Sequence, residues 1–190
     1  MTIFMYNIIC VTSRKLCEGD FLERIEHIAS LHPKAVILRE KDLTENEYRE
    51  LAESVIKVCS KYDTPCILHS FVSTALELNA DRIHLPLHIF RELDGSTKSR
   101  FKLIGVSCHS VAEAKEAESK GADYVIAGHI FSTDCKKGLA PRGLDFLKEV
   151  CMSVSIPVYA IGGISSENIK SVLDCGADGA CIMSGFMRNS

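Results

Sequence analysis

The sequence predicts a (β/α)8 barrel, and three observations predict it. First, eight short apolar runs recur along the 190 residues, at 5–12, 35–40, 65–69, 82–87, 102–108, 123–130, 156–161 and 179–184. They are rich in Val, Ile and Leu with little polar alternation, as parallel strands covered on both faces require. Second, amphipathic stretches of helical period lie between most of them. Third, a small residue followed by Ala and Asp precedes three of the runs: Asn79-Ala80-Asp81, Gly121-Ala122-Asp123 and Gly176-Ala177-Asp178. Gly or Asn after a helix supplies the left-handed cap that turns the chain into the next strand. Strands alternating with helices in this number suggest a closed barrel, and an open doubly wound sheet is the competing architecture.

The elements follow in order. Strand one, MYNIICVT, leads to a helix over 20–31, and strand two is AVILRE. The helix over 44–62 carries the strongest local signal. Thr44 with Glu47 three residues later forms a capping box, and Leu51, Val55, Val58 and Cys59 recur at helical spacing. Strand three, PCILH, precedes a helix over 72–79, and strand four is RIHLPL. After it, HIFRELDGSTKSR reads as at most a short helix and then a polar loop. Strands five and six, KLIGVSC and DYVIAGHI, flank a helix over 110–120. Helices over 143–153 and 165–174 alternate with the last two strands. Little sequence follows position 184, so the expectation is one barrel domain over 1–190, a short version lacking most of its eighth helix. A homo-oligomer contact or an unusually arranged N-terminus would cover that side.

Composition narrows the function. The chain is 46% hydrophobic and 25% charged, the balance of an ordinary globular domain. A net charge of -3 argues against a broad nucleic-acid surface, which needs a basic excess. The apolar runs are strand-length and too short to span a bilayer, and the N-terminus lacks signal-peptide features. The cysteines number nine, none forms CxxC, and several sit inside apolar runs. That pattern points to a reducing cytoplasm rather than a disulfide framework.

In a barrel, chemistry sits where strands end. Gly162-Gly163 after strand seven and Met183-Ser184-Gly185 after strand eight would lie side by side. Glycines let a phosphate approach backbone N–H groups, and a following helix N-terminus adds positive potential. These five residues are therefore expected to bind phosphate. The loop Thr133-Asp134-Cys135-Lys136-Lys137-Gly138 offers hydroxyl, ammonium and backbone donors suited to an anion. His129 follows Gly128 beside that loop, and an imidazole there can take and give a proton near neutrality. Arg39 and Glu40 point to opposite sides of their strand, so one can enter the pocket while the other pairs outside. Arg39, Lys41 and His69 at strand ends are expected to bind substrate. His84 lies mid-strand and reads as a packing or orienting group. No HxH, HExxH or close carboxylate pair stands at a strand end, so neither a metal nor a cofactor is expected.

LREKD, GVSCHS, GADYVIAGHIFSTDCKKG, PVYAIGGIS and GADGACIMSG, in that order, resemble the thiamine phosphate synthase/TenI superfamily from about residue 8 to residue 185. The resemblance implies a (β/α)8 barrel and a small-molecule thiazole phosphate ligand. It implies that Ser107, Thr133 and Lys136 line the pocket and that Gly163 and Ser184 help hold phosphate. Synthases of this family join a pyrimidine pyrophosphate to thiazole phosphate with magnesium. Here His69-Ser70 stands where they carry Asn-Asp, and Pro86, Leu87 and Ile89 stand where they carry Gly, Gln and Asp. Leu85-Pro86 and Gly128-His129 are closer to the TenI pattern. The expectation drawn from that match is a thiazole tautomerase, a metal-independent isomerase with His129 as acid and base. A diverged thiamine phosphate synthase and a non-catalytic ligand-sensing protein are the alternatives.

Overall fold

A computed structural model describes residues 7–133 and 138–188. Eight parallel strands close into one barrel in sequence order, so the open sheet is excluded. The strands are β1 Ile8–Val11, β2 Ala35–Leu38, β3 Cys66–His69, β4 Arg82–Pro86, β5 Leu103–Cys108, β6 Tyr124–Gly128, β7 Val158–Ile161 and β8 Gly179–Ile182. The longer helices are α1 Phe21–Ser30, α2 Glu45–Ser60, α6 Val111–Ser119 and α7 Gly143–Ser153. Shorter ones are α3 Val72–Glu77, α4 Leu87–Glu92, α5 Gly95–Lys98, α8 Ile169–Asp174 and α9 Ser184–Met187.

Local chemistry accounts for these elements. The Thr44 side chain accepts from Glu47 N while Glu47 Oε2 accepts from Thr44 N at 2.8 Å, which completes the capping box of α2. Asp20 and Ser110 cap α1 and α6 more simply, their side chains accepting from Glu23 N and Glu113 N. The three triplets behave as expected at their first residue: Asn79, Gly121 and Gly176 take φ values of 52°, 87° and 94°. Their aspartates have a use that local patterning does not reveal. Asp123 Oδ2 accepts from Ile104 N at 2.6 Å, and Asp178 Oδ2 accepts from Val158 N at 2.9 Å. Each ties the start of one strand to its neighbour. Asp81 instead pairs with Arg82 and Lys102.

Two stretches depart from the sequence reading. The segment after β4 forms two short helices, because Asp94 caps α5 by accepting from Thr97 N at 2.8 Å. The helix expected over 165–174 starts at Ile169, since Ser165 N donates to Asn168 Oδ1 at 2.9 Å and holds the first residues in a turn. After β8, in keeping with the expected short eighth helix, stands only the four-residue α9 among the described residues. Its Phe186 and Met187 are buried, and α9 packs against the 3-10 turn Arg14–Leu16 that follows β1. Among the described residues, no helix is long and apolar enough to cross a membrane.

Two apolar layers hold the fold. The outer one, between strands and helices, contains Val36, Leu38, Leu68, Leu85, Val106 and Val125 with Ile25, Tyr48, Val55 and Val172. The inner one fills the barrel with Ile9, Val11, Ala35, Ile37, Ile67, Tyr124, Ile126, Tyr159 and Cys181. Burying one such Ile or Leu side chain contributes about 1.5–3 kcal/mol. Adjacent residues fall in opposite layers, so each strand has a fixed inward parity.

Candidate active site

That parity builds the site. Continuing it upward from Ile37, Ile67, Ile126, Tyr159 and Cys181 gives Arg39, His69, Gly128, Ile161 and Met183. On β4 and β5 it gives His84 and Ser107. All seven line one cavity of about 520 Å³ at the C-terminal end of the barrel. Lys41, His109, His129, Thr133, Gly162, Gly163 and Ser184 also belong to its wall. The cavity thus brings together Arg39, Lys41, His69, Ser107, His129, Thr133, Gly162, Gly163, Met183 and Ser184, ten of the residues expected from the sequence. Gly185 lies in α9, exposed, and is not among the wall residues. Lys136 lies outside the described residues.

Arg39 and Glu40 diverge as expected. Arg39 faces the cavity, while Glu40 is buried beneath the turn after β1. Glu40 Oε1 accepts from Thr12 Oγ1 at 2.7 Å, and both carboxylate oxygens accept from Arg14 N. Burial raises the Glu40 carboxyl above its usual range, against the pull of those donors. Arg39 N donates to Thr12 Oγ1 at 3.0 Å, so the same hydroxyl secures the backbone under the guanidinium.

Five histidines stand in the wall, His69, His84, His88, His109 and His129, and four of them have distinct hydrogen-bond partners. His69 Nδ1 meets Ser70 Oγ at 2.7 Å, and its backbone N–H donates to Tyr48 Oη at 2.8 Å. Burial first, then His84, Lys41 and Arg39, push its pKa well below the imidazole range, so the ring is neutral. His84 is pushed down to about 3 by burial and by the positive charge of Lys41 and Arg39. Its Nδ1 meets Tyr124 Oη at 3.1 Å and its Nε2 meets Ser107 Oγ at 2.8 Å. His109 Nδ1 donates to the Gly128 carbonyl at 2.9 Å. His129 Nε2 donates to the Leu139 carbonyl at 3.3 Å. A carbonyl only accepts, so the proton sits on Nδ1 of His109 and on Nε2 of His129.

Gly162 and Gly163 both have left-handed φ, 104° and 66°. Their carbonyls are engaged by Phe131 N at 3.0 Å and by Asn168 Nδ2 at 2.8 Å. A Cβ on Gly162 would run into His129, and one on Gly163 would lie 2.8 Å from Phe131 Cβ. The glycine loop is therefore pressed against the His129 segment, and a side chain at either position would break the contact. Both glycines line the cavity, and neither puts a side chain between its backbone and the cavity.

Sequence reasoning passed over His84, His109, Arg91 and Glu113 as wall residues. Inward parity was the available signal for His84. Nothing local marks Arg91, which reaches the wall from α4 while its guanidinium grips Glu116 at 2.7 and 2.8 Å.

The family model described as thiamine monophosphate synthase (TMP-TENI) matches residues 8–186. The chain is 37% identical over 191 residues to the thiamine-phosphate synthase of Clostridium novyi, covering 97% of this chain and 92% of that one. It is 38% identical over 188 residues to the thiamine-phosphate synthase of Clostridium acetobutylicum, covering 96% and 87%. Among solved structures, the thiamine phosphate pyrophosphorylase of Pyrococcus furiosus superposes with a TM-score of 0.82 at 31% identity, covering 98% of this chain and 90% of that one. These relatives overturn the tautomerase expectation, and with it the isomerase assignment. They carry the synthase name, which was the alternative reading.

Proposed function

The chain belongs to the thiamine monophosphate synthase family, and from that premise we propose that it is a thiamine-phosphate synthase. It would act as a transferase, joining a pyrimidine pyrophosphate to a thiazole phosphate and releasing pyrophosphate. One observation carries the reading beyond the names of its relatives. The cavity has two anion-receiving arcs, Arg39 with Lys41 above β2 and Gly162, Gly163 and Ser184 above β7 and β8. The β1 segment separates them, with Ser13 in the wall between. Two separated anion sites in one cavity suit two phosphorylated substrates. Arg39 would meet the charge of a leaving pyrophosphate, because a guanidinium binds phosphate oxygens in pairs.

Magnesium, which the family resemblance implies, does not fit the residues present. Among the described residues no group of three or more His, Cys, Asp and Glu side chains could hold a metal. Glu113 is the one carboxylate in the described wall, and its Oε2 already accepts from His109 N at 2.6 Å. The other polar wall groups are imidazoles, the cations Arg39, Lys41 and Arg91, and neutral hydroxyls, whereas magnesium is held by carboxylate oxygens and water. The charge neutralisation in this reading is accordingly assigned to the protein's own cations.

The test is a coupling assay with both substrates, following pyrophosphate release and thiamine phosphate formation. It is run in chelator and again in excess magnesium. Product that depends on both substrates supports the assignment. Absence of product under both conditions overturns it.

A further inference from the structure

The registers of β4, β5 and β6 set His84, Gly105 and Tyr124 in one row: His84 pairs with Gly105, and Gly105 pairs with Tyr124. The Tyr124 ring occupies the space that a Cβ on Gly105 would fill. Glycine at that position lets the phenol cross a whole strand and reach His84 Nδ1 at 3.1 Å. On the other edge of the ring, Nε2 lies 2.8 Å from Ser107 Oγ, one inward position higher on β5. His84 and Tyr124 are buried, at 2% and 4% exposure, whereas Ser107 is half-buried and faces the cavity.

A neutral imidazole has one donor and one acceptor. The phenol is the better donor and the imidazole nitrogen the better acceptor, so Tyr124 Oη–H donates to Nδ1. The ring proton then sits on Nε2 and is donated to Ser107 Oγ. With its oxygen accepting from His84, the Ser107 hydroxyl directs its own proton elsewhere, and the side open to it is the cavity.

We propose that His84 is a positioning residue which, clamped by Tyr124, presents Ser107 as an obligate hydrogen-bond donor to an anionic oxygen bound in the cavity. The proposal deepens the function proposed above and rests on it only in taking the ligand to be anionic. The reverse arrangement, with the proton on Nδ1, would make Ser107 donate to His84 and turn lone pairs toward the ligand's negative charge.

Two measurements test it, with inorganic pyrophosphate as the probe. Nitrogen NMR of the labelled wild-type protein is expected to show His84 protonated at Nε2, and Tyr124→Phe to release the ring into a mixture of tautomers. Calorimetry is expected to show Ser107→Ala weakening pyrophosphate about tenfold or more, the loss of one hydrogen bond to a charged group. Tyr124→Phe should weaken it by a smaller factor, and His84→Gln, whose amide can still donate to Ser107, should retain more affinity than His84→Leu. Should a buried-site variant fail to fold, the wild-type tautomer and the wall variant Ser107→Ala still decide. A proton on Nδ1 in the wild type overturns the proposal. So does unchanged affinity in Ser107→Ala, or a wild-type protein that binds no pyrophosphate. A failed coupling assay with this binding pattern intact overturns the synthase assignment alone.

Discussion

The Glu40 carboxylate accepts a hydrogen bond from the Thr12 hydroxyl at 2.7 Å, and through that hydroxyl the buried acid supports Arg39, whose N–H donates to the same oxygen at 3.0 Å. Thr12→Val keeps the shape and removes both bonds. The expected outcome is a loss of about 1–3 kcal/mol in denaturant unfolding, because Glu40 and Arg39 N are left under-satisfied. Pyrophosphate affinity should fall with it, since the backbone beneath the guanidinium loosens. Unchanged stability and affinity would show that the hydroxyl supports neither group.

Glu40 also makes a signed prediction about pH. Burial raises its pKa above 4.5, so the folded state holds its proton more tightly than the unfolded chain. The stability it contributes is complete below the ordinary carboxylate pKa and is lost as pH rises through the raised one. Relative to Glu40→Gln, the wild-type unfolding free energy should decline as pH climbs from 4.5 into that interval. A parallel pair of curves would remove the effect.

His84 has the opposite dependence. Its folded pKa is about 3 against 6.5 for the unfolded ring. The unfolded chain binds the extra proton between those values, so stability is complete above 6.5 and falls as pH drops toward 3. The contribution is on the order of 4–5 kcal/mol. His84→Gln cannot titrate, so its stability should fall less steeply over this window, as read by chemical unfolding at a series of pH values.

Gly162→Ala places a methyl group against the His129 backbone and asks alanine to hold a φ of 104°. Loss of about 1–3 kcal/mol is expected from strain of that kind, together with a clear loss of turnover because the Gly162–Gly163 arc proposed to receive phosphate must shift. A variant with wild-type turnover would show that the contact between the two loops is dispensable.

Chelation tests the donor set of the cavity. Its wall supplies Arg39, Lys41 and imidazoles rather than a carboxylate cluster. Pyrophosphate should therefore bind in EDTA as well as in untreated buffer, and Arg39→Ala should weaken it in both. Binding that vanishes in EDTA and returns with magnesium would assign the site to a metal complex.

Much of this protein was legible in the sequence because the governing interactions are local. The capping box of Thr44 and Glu47 spans three residues. The left-handed residues Asn79, Gly121 and Gly176 announce themselves by type. Strand ends located most of the cavity, since a barrel gathers them at one face. The opposed directions of Arg39 and Glu40 follow from a period of two.

Tertiary structure decided what depends on distant pairing. Closure required β1 to meet β8, where Ile9 lies opposite Cys181, and helical periodicity carries no information about that edge. The partners of Glu40 come from the turn after β1, and Asp123 and Asp178 anchor strands far back in the chain. The His84 ring acquires its protonation and its purpose from Tyr124 and Ser107, forty and twenty-three residues away. Composition and spacing describe a chain one turn or one strand at a time. Desolvation and hydrogen bonding across a barrel are set only when eight such pieces close on one another, and that closure makes an apolar row on β4 into part of a site.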